Sequence, residues 1–182
     1  MKGLTRSLLA CLFVSLTQAV PAQNAKAPKA KAQAIAPWAR HAALMGPEFV
    51  CPAESSTCNV PVTMSQGSIN GVSICLATLA GEIKVAGTSV SAAPKDIIWT
   101  LTPATLPGVE LFFESKSGIL VLADANGQLK VVGPGTTPAQ FKVRNKRNKA
   151  GDSIYLPVIL QRDLTTGAVS LCAASDPKIV NF

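Results

Sequence analysis

From about residue 47 onward, apolar side chains recur at every second position in short stretches bounded by Gly, Pro, Asn and Asp. Ile97, Trp99 and Leu101 alternate with polar residues, and so do Phe141 and Val143. A period of two predicts β-strands with one buried face, and no stretch of this region shows the 3.6-residue period of a helix. About seven to nine such strands predict an all-β fold, a β-sandwich.

Two turn signals divide these strands. Asp124-Ala-Asn-Gly127 separates the apolar runs 119–123 and 129–132, and Asn-Gly between two such runs predicts a β-hairpin. The segment 163–167 predicts a second turn, which leads into a strand at 169–173. Between them, residues that begin at Ile154 and end at Gln161 are apolar on both faces, as expected of a central strand.

The segment Gly151-Asp-Ser-Ile-Tyr155 resembles the Asp-x-x-x-Tyr tyrosine corner that opens strand F of immunoglobulin-like domains. The resemblance implies an immunoglobulin-like β-sandwich in which Trp99 is the buried tryptophan of strand C and Cys75 lies on strand B. The second cysteine of the family pattern falls on Pro157, and a proline there implies an edge strand or a bulge. The closing residues 172–181 resemble the end of small secreted bacterial proteins of unknown function.

The N-terminus has the three parts of a cleavable secretory signal peptide. Lys2 and Arg6 give a cationic start, residues 8–14 are apolar, and small residues lead to a predicted cut after Ala22, or alternatively after Ala19. The apolar stretch is far shorter than the roughly 20 residues of a membrane-spanning helix, so we expect no transmembrane span. The mature protein is therefore predicted to be secreted or periplasmic.

Residues 8–11, Leu-Leu-Ala-Cys, also resemble a lipobox. Cleavage there would leave almost no apolar core, so we favour the loss of Cys11 with the signal peptide. The segment 23–46 is rich in Ala, Lys and Pro without a sustained apolar period, which predicts a flexible leader. The predicted organisation is a signal peptide at 1–22, a leader at 23–46 and a β-sandwich domain at 47–182.

Of the five cysteines, four remain after removal of the one in the signal peptide: Cys51, Cys58, Cys75 and Cys172. An even number in an exported chain predicts a disulfide framework with three possible pairings. The short intervening loop, rich in Pro, Glu, Ser and Thr, favours Cys51–Cys58, which leaves Cys75–Cys172. No zinc site is expected, because no C-x-x-C occurs and the single histidine lies in the leader.

The chain is basic, with 17 Lys and Arg against 10 Asp and Glu. Without the two basic residues of the signal peptide the balance is 15 to 10, a net charge of +5. Five cations lie close together, and we interpret them as a solvated hairpin tip, with binding of an anionic cell-envelope component as the alternative: Lys142, Arg144, Lys146, Arg147 and Lys149. Nucleic acid is not an expected partner, because the segment lacks aromatic side chains for base stacking.

No catalytic or cofactor-binding constellation stands out. The only histidine, His41, stands in the leader, where it is not placed to activate a nucleophile. Glu110 and Glu114 share a strand face, but about 13 Å separates their Cα atoms, too far for the paired acids of a glycosidase. The favoured hypothesis is a non-enzymatic binding or structural module whose ligand or protein partner is unknown. The alternative is a secreted enzyme or inhibitor with a site assembled from scattered residues.

Overall fold

The computed structural model describes residues 45–69, 72–175 and 177–182, and these contain β-strands and no helix. The all-β class is thus confirmed, whereas the described residues form fifteen strands instead of the predicted seven to nine. The predicted signal peptide with Cys11, and the predicted leader up to residue 44 with His41, lie outside the described residues. The strands are β1 (Met45–Gly46), β2 (Phe49–Cys51), β3 (Thr57–Ile69), β4 (Val72–Ala80), β5 (Glu82–Val85), β6 (Lys95–Thr102), β7 (Thr105–Leu106), β8 (Val109–Phe113), β9 (Ile119–Asp124), β10 (Leu129–Pro134), β11 (Gln140–Asn145), β12 (Gly151–Pro157), β13 (Ile159–Asp163), β14 (Val169–Leu171) and β15 (Lys178–Asn181).

The strands form three open sheets. Their orders are β1-β4-β3-β6-β11-β10, β2-β5-β15-β12-β9 and β14-β13-β8-β7. Each sheet has two edge strands, so none closes on itself. Parallel pairs join β1 to β4, β3 to β6, β2 to β5 and β5 to β15, and the other neighbours are antiparallel. The two residues of β1 belong to the segment predicted as leader.

The inward face of the six-stranded sheet carries the alternating apolar residues. Ile97, Trp99 and Leu101 on β6 are at most 3% exposed, and Phe141 and Val143 on β11 are fully buried. In the antiparallel register Trp99 lies opposite Phe141 and Ile97 opposite Val143, so these side chains stand side by side and stabilise the sheet. The buried face predicted from the alternation is confirmed.

A hydrogen bond inside the core links the six-stranded sheet to the five-stranded sheet. Trp99 on β6 donates from Nε1 to the hydroxyl oxygen of Tyr155 on β12 over 3.1 Å, and the ring centroids lie 5.0 Å apart. Both side chains are fully buried. Burial raises the pKa of Tyr155 above its ordinary value, because a phenolate would lose its hydration there. The tyrosine of the predicted corner therefore serves as the acceptor for Trp99.

The two disulfides join the pairs that the loop composition favoured. Cys51–Cys58 closes the loop between β2 and β3, with the Cα atoms 5.2 Å apart. Cys75 on β4 is joined to Cys172, directly after β14, with the Cα atoms 4.8 Å apart and 97 positions between them in sequence number. A closed loop of about this length stabilises a fold by roughly 4–5 kcal/mol in the chain-entropy model. The second bond thus ties the C-terminal strands to β4.

The segment predicted as one central strand, 154–161, is two strands. β12 ends at Pro157 and β13 begins at Ile159. Val158, between them, donates its N–H to the carbonyl of Gly118 over 2.9 Å. The partner strand is divided at the same place, into β8 and β9, so this pair of strands passes from the five-stranded sheet into the four-stranded sheet.

Pro157 lies in the part of β12 that pairs with β9 alone, and its position is therefore that of an edge, as the proline implied. β12 pairs with β15 over Gly151–Ile154 and with β9 over Ser153–Pro157, so it has a neighbour on both sides only at Ser153 and Ile154. A register shift between Ile154 and Tyr155 marks a bulge in the β9 pairing. Because proline has no N–H to donate, the β15 pairing ends before Pro157. Ile154 is 40% exposed, so β12 is not buried on both faces as predicted.

The predicted turn at 163–167 forms the β13–β14 hairpin. Asp163 Oδ1 accepts the N–H groups of Thr165 and Thr166 over 2.8 and 2.7 Å. Gly167 has a φ of 74°, a conformation that glycine adopts without steric cost. This turn prediction is confirmed.

The hairpin predicted at Asp124–Gly127 is wrong. β9 pairs with β12 and β10 pairs with β11, so the two strands beside this turn belong to different sheets. The Asp124 carboxylate accepts the N–H groups of Gln128 and Leu129 over 2.9 and 2.7 Å and the hydroxyl of Ser153 over 3.1 Å. These bonds direct the chain from one sheet into the other, so the Asn-Gly turn connects the five-stranded sheet to the six-stranded sheet.

Candidate functional site

The four-stranded sheet has two unlike faces. On one face Leu111, Phe113 and Ile159 are at most 3% exposed and belong to the core. Successive side chains of a strand point to opposite faces, so Phe112 and Leu160 point away from the core, and both are partly exposed. The sheet therefore presents apolar side chains on its outward face as well.

We call this outward surface the Phe112 face. Leu171 and Val169 on β14 are 66% and 52% exposed within it. Contiguous exposed apolar side chains on a soluble domain mark interaction surfaces more often than single exposed residues do. The face consists of two rows across β8, β13 and β14, namely Phe112, Leu160 and Leu171, and then Glu110, Arg162 and Val169.

Arg162 is held in place on the Phe112 face. Its Nη1 donates to Glu110 Oε2 over 2.9 Å, and its Cζ lies 5.0 Å from the ring centroid of Phe112. Both charged side chains are more than two-fifths exposed, so the ion pair contributes about 1 kcal/mol or less and the cation–π contact about 0.5–1 kcal/mol. These contacts fix the direction of the guanidinium more than they stabilise the fold.

A cleft of about 500 Å³ opens at one end of the Phe112 face. Phe112, Leu160 and Arg162 line one wall, and the loop at 134–138, Pro-Gly-Thr-Thr-Pro, lines the other. Two bonds to Gln140 shape this loop, one from the N–H of Gly135 and one from the hydroxyl of Thr136. Clefts of this size with mainly apolar walls are the usual form of ligand sites.

Glu114 is the carboxylate among the residues that line this cleft. It accepts the main-chain N–H groups of Ser117 and Lys116 and the hydroxyl of Ser115. The N–H groups of Ser117 and then Lys116 hold the pKa of Glu114 below its ordinary value, because they stabilise the ionised form. Glu114 is therefore a saturated anion that closes a turn, a poor candidate for an acid or base.

The core-facing side of the four-stranded sheet also borders a polar cleft of about 400 Å³, which lies next to the core. Gln66 and Ser73 on the β3–β4 hairpin line it from one side, and Gln161 and Ser170 from the other. Gln161 donates to the hydroxyl of Ser170 over 2.9 Å, and Gln66 donates to the carbonyl of Pro107 over 3.3 Å. The sheet thus separates an apolar cleft from a polar one.

We call residues 142–149 the cationic segment. The first two of its five cations share one anion: Arg144 donates to both oxygens of Asp96 over 2.7 and 3.1 Å, and Lys142 Nζ lies 3.7 Å from Asp96 Oδ2. The hydrogen bond from Arg144 is the main cause that lowers the pKa of Asp96. These two cations are therefore partly neutralised on the outer face of the six-stranded sheet.

Arg147 has a structural role within the cationic segment. It has a φ of 54°, and its guanidinium donates to the carbonyls of Ala86 and Ala93 in the loop after β5. Lys146 Nζ donates to the carbonyl of Gly127 over 2.9 Å. The Lys149 ammonium forms no hydrogen bond or ion pair within the described part of the chain. The predicted anion-binding function therefore depends chiefly on Lys146 and Lys149.

A further cation, Lys95, is fully buried. Its Nζ donates to the carbonyls of Pro52 and Ala53 in the Cys51–Cys58 loop. Burial, and next the nearby charge of Arg147, lower the pKa of Lys95. The sequence analysis did not single it out, although the alternation contains the signal: Lys95 has the same parity as Ile97, so it points inward.

The sequence analysis also missed the Phe112 face, although the alternation of side chains along β8 indicates it. Glu110 and Glu114 were placed on one strand face, and Phe112 stands between them with the same parity. An aromatic residue with the parity of two exposed carboxylates is expected outside the core. Phe112 lies beside Leu160 and Leu171 only because β8, β13 and β14 pair with one another. No local sequence pattern specifies that pairing.

Comparisons with known proteins give no functional assignment for the Phe112 face, so we interpret it from its own side chains. No family model matches this chain, and no curated protein is significantly similar to it. Across residues 45–69, 72–175 and 177–182, no group of three or more His, Cys, Asp or Glu side chains is arranged to hold a metal ion. No helix in those same ranges is long and apolar enough to cross a membrane.

Proposed function

We propose that this protein is a secreted or periplasmic, non-enzymatic binding module with an immunoglobulin-like β-sandwich, and that the Phe112 face with its cleft is its recognition surface. The observation that carries the proposal is the exposure of Leu171 and Val169 beside Phe112 and Leu160. Leaving such side chains in water forgoes about 25 cal/mol per Å² of burial. A partner that covers them recovers that free energy, which favours an apolar ligand or a protein surface.

The proposed sandwich is supported by contacts between sheets. The six-stranded sheet forms one layer, and the five-stranded and four-stranded sheets follow one another in the second. Trp99 and Tyr155 join the layers through a buried hydrogen bond, and Cys75–Cys172 joins them covalently. An experimentally determined structure of the protein tests this part of the proposal through the relative orientation of the layers.

Export is supported by the two disulfides. Structural disulfides persist in oxidising compartments such as the periplasm or the extracellular space, and both bonds lie within one small domain. The predicted signal peptide at 1–22 is the route of export. N-terminal sequencing of the protein recovered from the medium or periplasm tests the cut after Ala22.

A binding role without catalysis is supported by the state of the acids around the Phe112 face. Glu110 is paired with Arg162, and Glu114 is saturated by N–H groups that lower its pKa. General acid–base catalysis needs a group whose pKa lies near the working pH. The lowered pKa of Glu114 is the opposite of this requirement, and Glu110 is engaged by the guanidinium of Arg162.

The test compares retention of envelope and medium components by immobilised protein. Leu160→Glu places a charge in the middle of the Phe112 face, and Val90→Glu, at a position 92% exposed elsewhere, is the matched control. We expect a component retained by the native protein and by Val90→Glu to be lost with Leu160→Glu, while thermal melting verifies that both variants fold. Retention that is equal in all three proteins would contradict the proposed surface, and turnover of a retained component would favour the enzyme or inhibitor alternative.

A further inference from the structure

The guanidinium of Arg162 is only partly used by the contacts of the Phe112 face. Its Nη1 donates to Glu110 Oε2 over 2.9 Å, and its Cζ lies over the ring of Phe112, 5.0 Å from the centroid. Within the described ranges, Nε and Nη2 of Arg162 form no hydrogen bond or ion pair. Because an arginine presents its N–H groups in a planar fork, the edge formed by Nε and Nη2 is open to a ligand.

The same edge of another arginine in this protein already binds a carboxylate. Arg144 donates from Nε and from Nη2 to the two oxygens of Asp96, over 2.7 and 3.1 Å. Two parallel bonds of this kind are charge-assisted, and they are stronger and more directional than bonds between neutral groups. Arg162 has the donors for such a pair, and no second carboxylate in the described part of the chain accepts them. A ligand that fits this edge therefore has the chemistry of a carboxylate.

Apolar walls surround the open edge of Arg162. It lines the cleft of about 500 Å³ together with four apolar side chains, namely Phe112, Leu160, Pro134 and Pro138. Removing apolar surface from water against such walls is favourable. Ligand sites commonly combine apolar walls with a few polar groups that fix the orientation of the ligand. A molecule with an apolar body and a carboxylate would satisfy the walls and the open edge together.

The loop that forms the far wall of the cleft is held by its own hydrogen bonds. Phe113 on β8 donates its N–H to the carbonyl of Pro138 over 2.9 Å, which ties the loop to the sheet. Gln140 accepts the N–H of Gly135 over 2.9 Å and donates its own N–H to the carbonyl of Thr137 over 3.0 Å. A wall that is already formed lowers the entropic cost of binding a ligand.

Two carboxylates lie near the open edge, and both have other partners. Glu110 is bound at Nη1 of Arg162, which leaves the edge itself free. Glu114 accepts three donors from residues 115–117, so its charge is solvated by its own turn. Among the described residues that line the cleft, Arg162 is the one cationic side chain. The predicted mature chain, with 15 basic against 10 acidic residues, also attracts anions over a longer range.

We propose that the cleft of the Phe112 face binds an apolar molecule by its carboxylate, and that Arg162 selects this class of ligand. The inference rests on the proposed function, because it assigns a ligand class to the same surface. Arg162 donates to both oxygens of the ligand in the way that Arg144 binds Asp96. The body of the ligand packs on Phe112 and Leu160. A free fatty acid and the C-terminus of an apolar peptide share this chemistry.

Pairs of ligands with the same apolar body test the carboxylate. Octanoate and octanamide differ only in the group that would meet Arg162. Isothermal titration calorimetry measures their dissociation constants with the chain produced with its own N-terminal segment and purified from an oxidising compartment. We expect octanoate to bind about ten- to a hundredfold more tightly, because octanamide offers no charged acceptor. N-acetyl-phenylalanyl-leucine and its C-terminal amide form a second pair, and the acid that binds more tightly identifies the source of the carboxylate.

Two variants of Arg162 test its part in the preference. Its side chain is 48% exposed, so Arg162→Gln should fold, which thermal melting verifies, and should bind octanoate no more tightly than octanamide. Arg162→Lys keeps the charge without the planar fork and should keep only part of the preference. Arg144→Gln is the matched control, because it removes the same charge from the cationic segment. It should leave the ratio of the two dissociation constants unchanged.

Two results would overturn the inference. One is a native protein that binds each acid no more tightly than its amide, or that binds neither. The other is an equal loss of octanoate binding in Arg162→Gln and Arg144→Gln, which would report net charge. The proposed surface fails in a different way. If only the ligand class is wrong, Leu160→Glu still loses the component that the native protein retains, whereas an incorrect surface leaves that retention unchanged.

Discussion

The cationic segment and the Phe112 face show how differently charge and apolar surface are accommodated in this protein. In the cationic segment, Arg144 and Lys142 meet Asp96, and Arg147 meets main-chain carbonyls. On the Phe112 face, Leu171 and Val169 remain more than half exposed. The most conspicuous feature of the sequence is mostly occupied by intramolecular contacts, while an inconspicuous one is left open.

The physical reason lies in where each kind of group finds a partner. A flexible cationic side chain reaches carbonyls or carboxylates within its own fold, so a dense run of charge need not be an external site. An apolar side chain on the outward side of a sheet has no such local alternative, because its own strand directs it away from the core. Exposed apolar surface is therefore the better guide to interaction here.

The largest expected difference is between two neighbouring phenylalanines of β8. Phe113 is 3% exposed and Phe112 is partly exposed on the opposite face. Phe113→Ala should lower the free energy of unfolding by about 3–5 kcal/mol, as a core truncation does, and Phe112→Ala by about 1 kcal/mol. Urea unfolding measures both. Similar losses in the two variants would mean that the Phe112 face is covered in solution.

Arg147 should give the next largest effect. Arg147→Ala removes a charged donor from two carbonyls and leaves the backbone at the same positive φ, so the loss, about 2 kcal/mol, reports the side chain alone. Lys149→Ala removes the same charge without a partner and should change stability by no more than about 0.5 kcal/mol. Equal effects would show that net charge, rather than the carbonyl contacts, governs this segment.

Asp96 provides a smaller, pH-dependent effect. Its pKa is lowered in the folded state by Arg144, so its contribution is present above the unfolded pKa of about 3.9 and is lost as pH falls through the lower folded value. Asp96→Asn should cost about 1 kcal/mol at neutral pH. That cost should shrink as unfolding is measured at progressively lower pH. A cost that is constant with pH would mean that the ion pair contributes nothing.

The smallest stability effect is expected on the Phe112 face itself. Leu171→Ser replaces a side chain that is 66% exposed, so the free energy of unfolding should change by about 0.5 kcal/mol or less. The same change removes apolar surface, and the fluorescence of a bound hydrophobic dye should fall. Val90→Ser, at an isolated exposed position, is the control and should leave the dye signal unchanged. A large loss of stability with Leu171→Ser would place this residue in a buried contact.

Several features of this protein follow from the sequence alone. The alternation at Ile97, Trp99 and Leu101 predicted both the strand and its buried face, because side chains of a strand alternate without regard to what the strand pairs with. The cysteine count and loop composition led to the two disulfide pairs that the structure contains. The turn at 163–167 was also predicted from the sequence, since the residues that shape it, Asp163 and Gly167, belong to the turn itself.

Tertiary structure decided which strands are neighbours, and with that the candidate site. Asn-Gly at 126–127 predicted a hairpin, yet Ser153 and the N–H groups that bind Asp124 send the chain into another sheet. Arg147 and Lys95 took structural roles because carbonyls distant in sequence lie within their reach. The Phe112 face exists only where β8, β13 and β14 meet. Local pattern specifies the direction of a side chain, whereas its neighbours depend on hydrogen bonds between residues far apart in the chain.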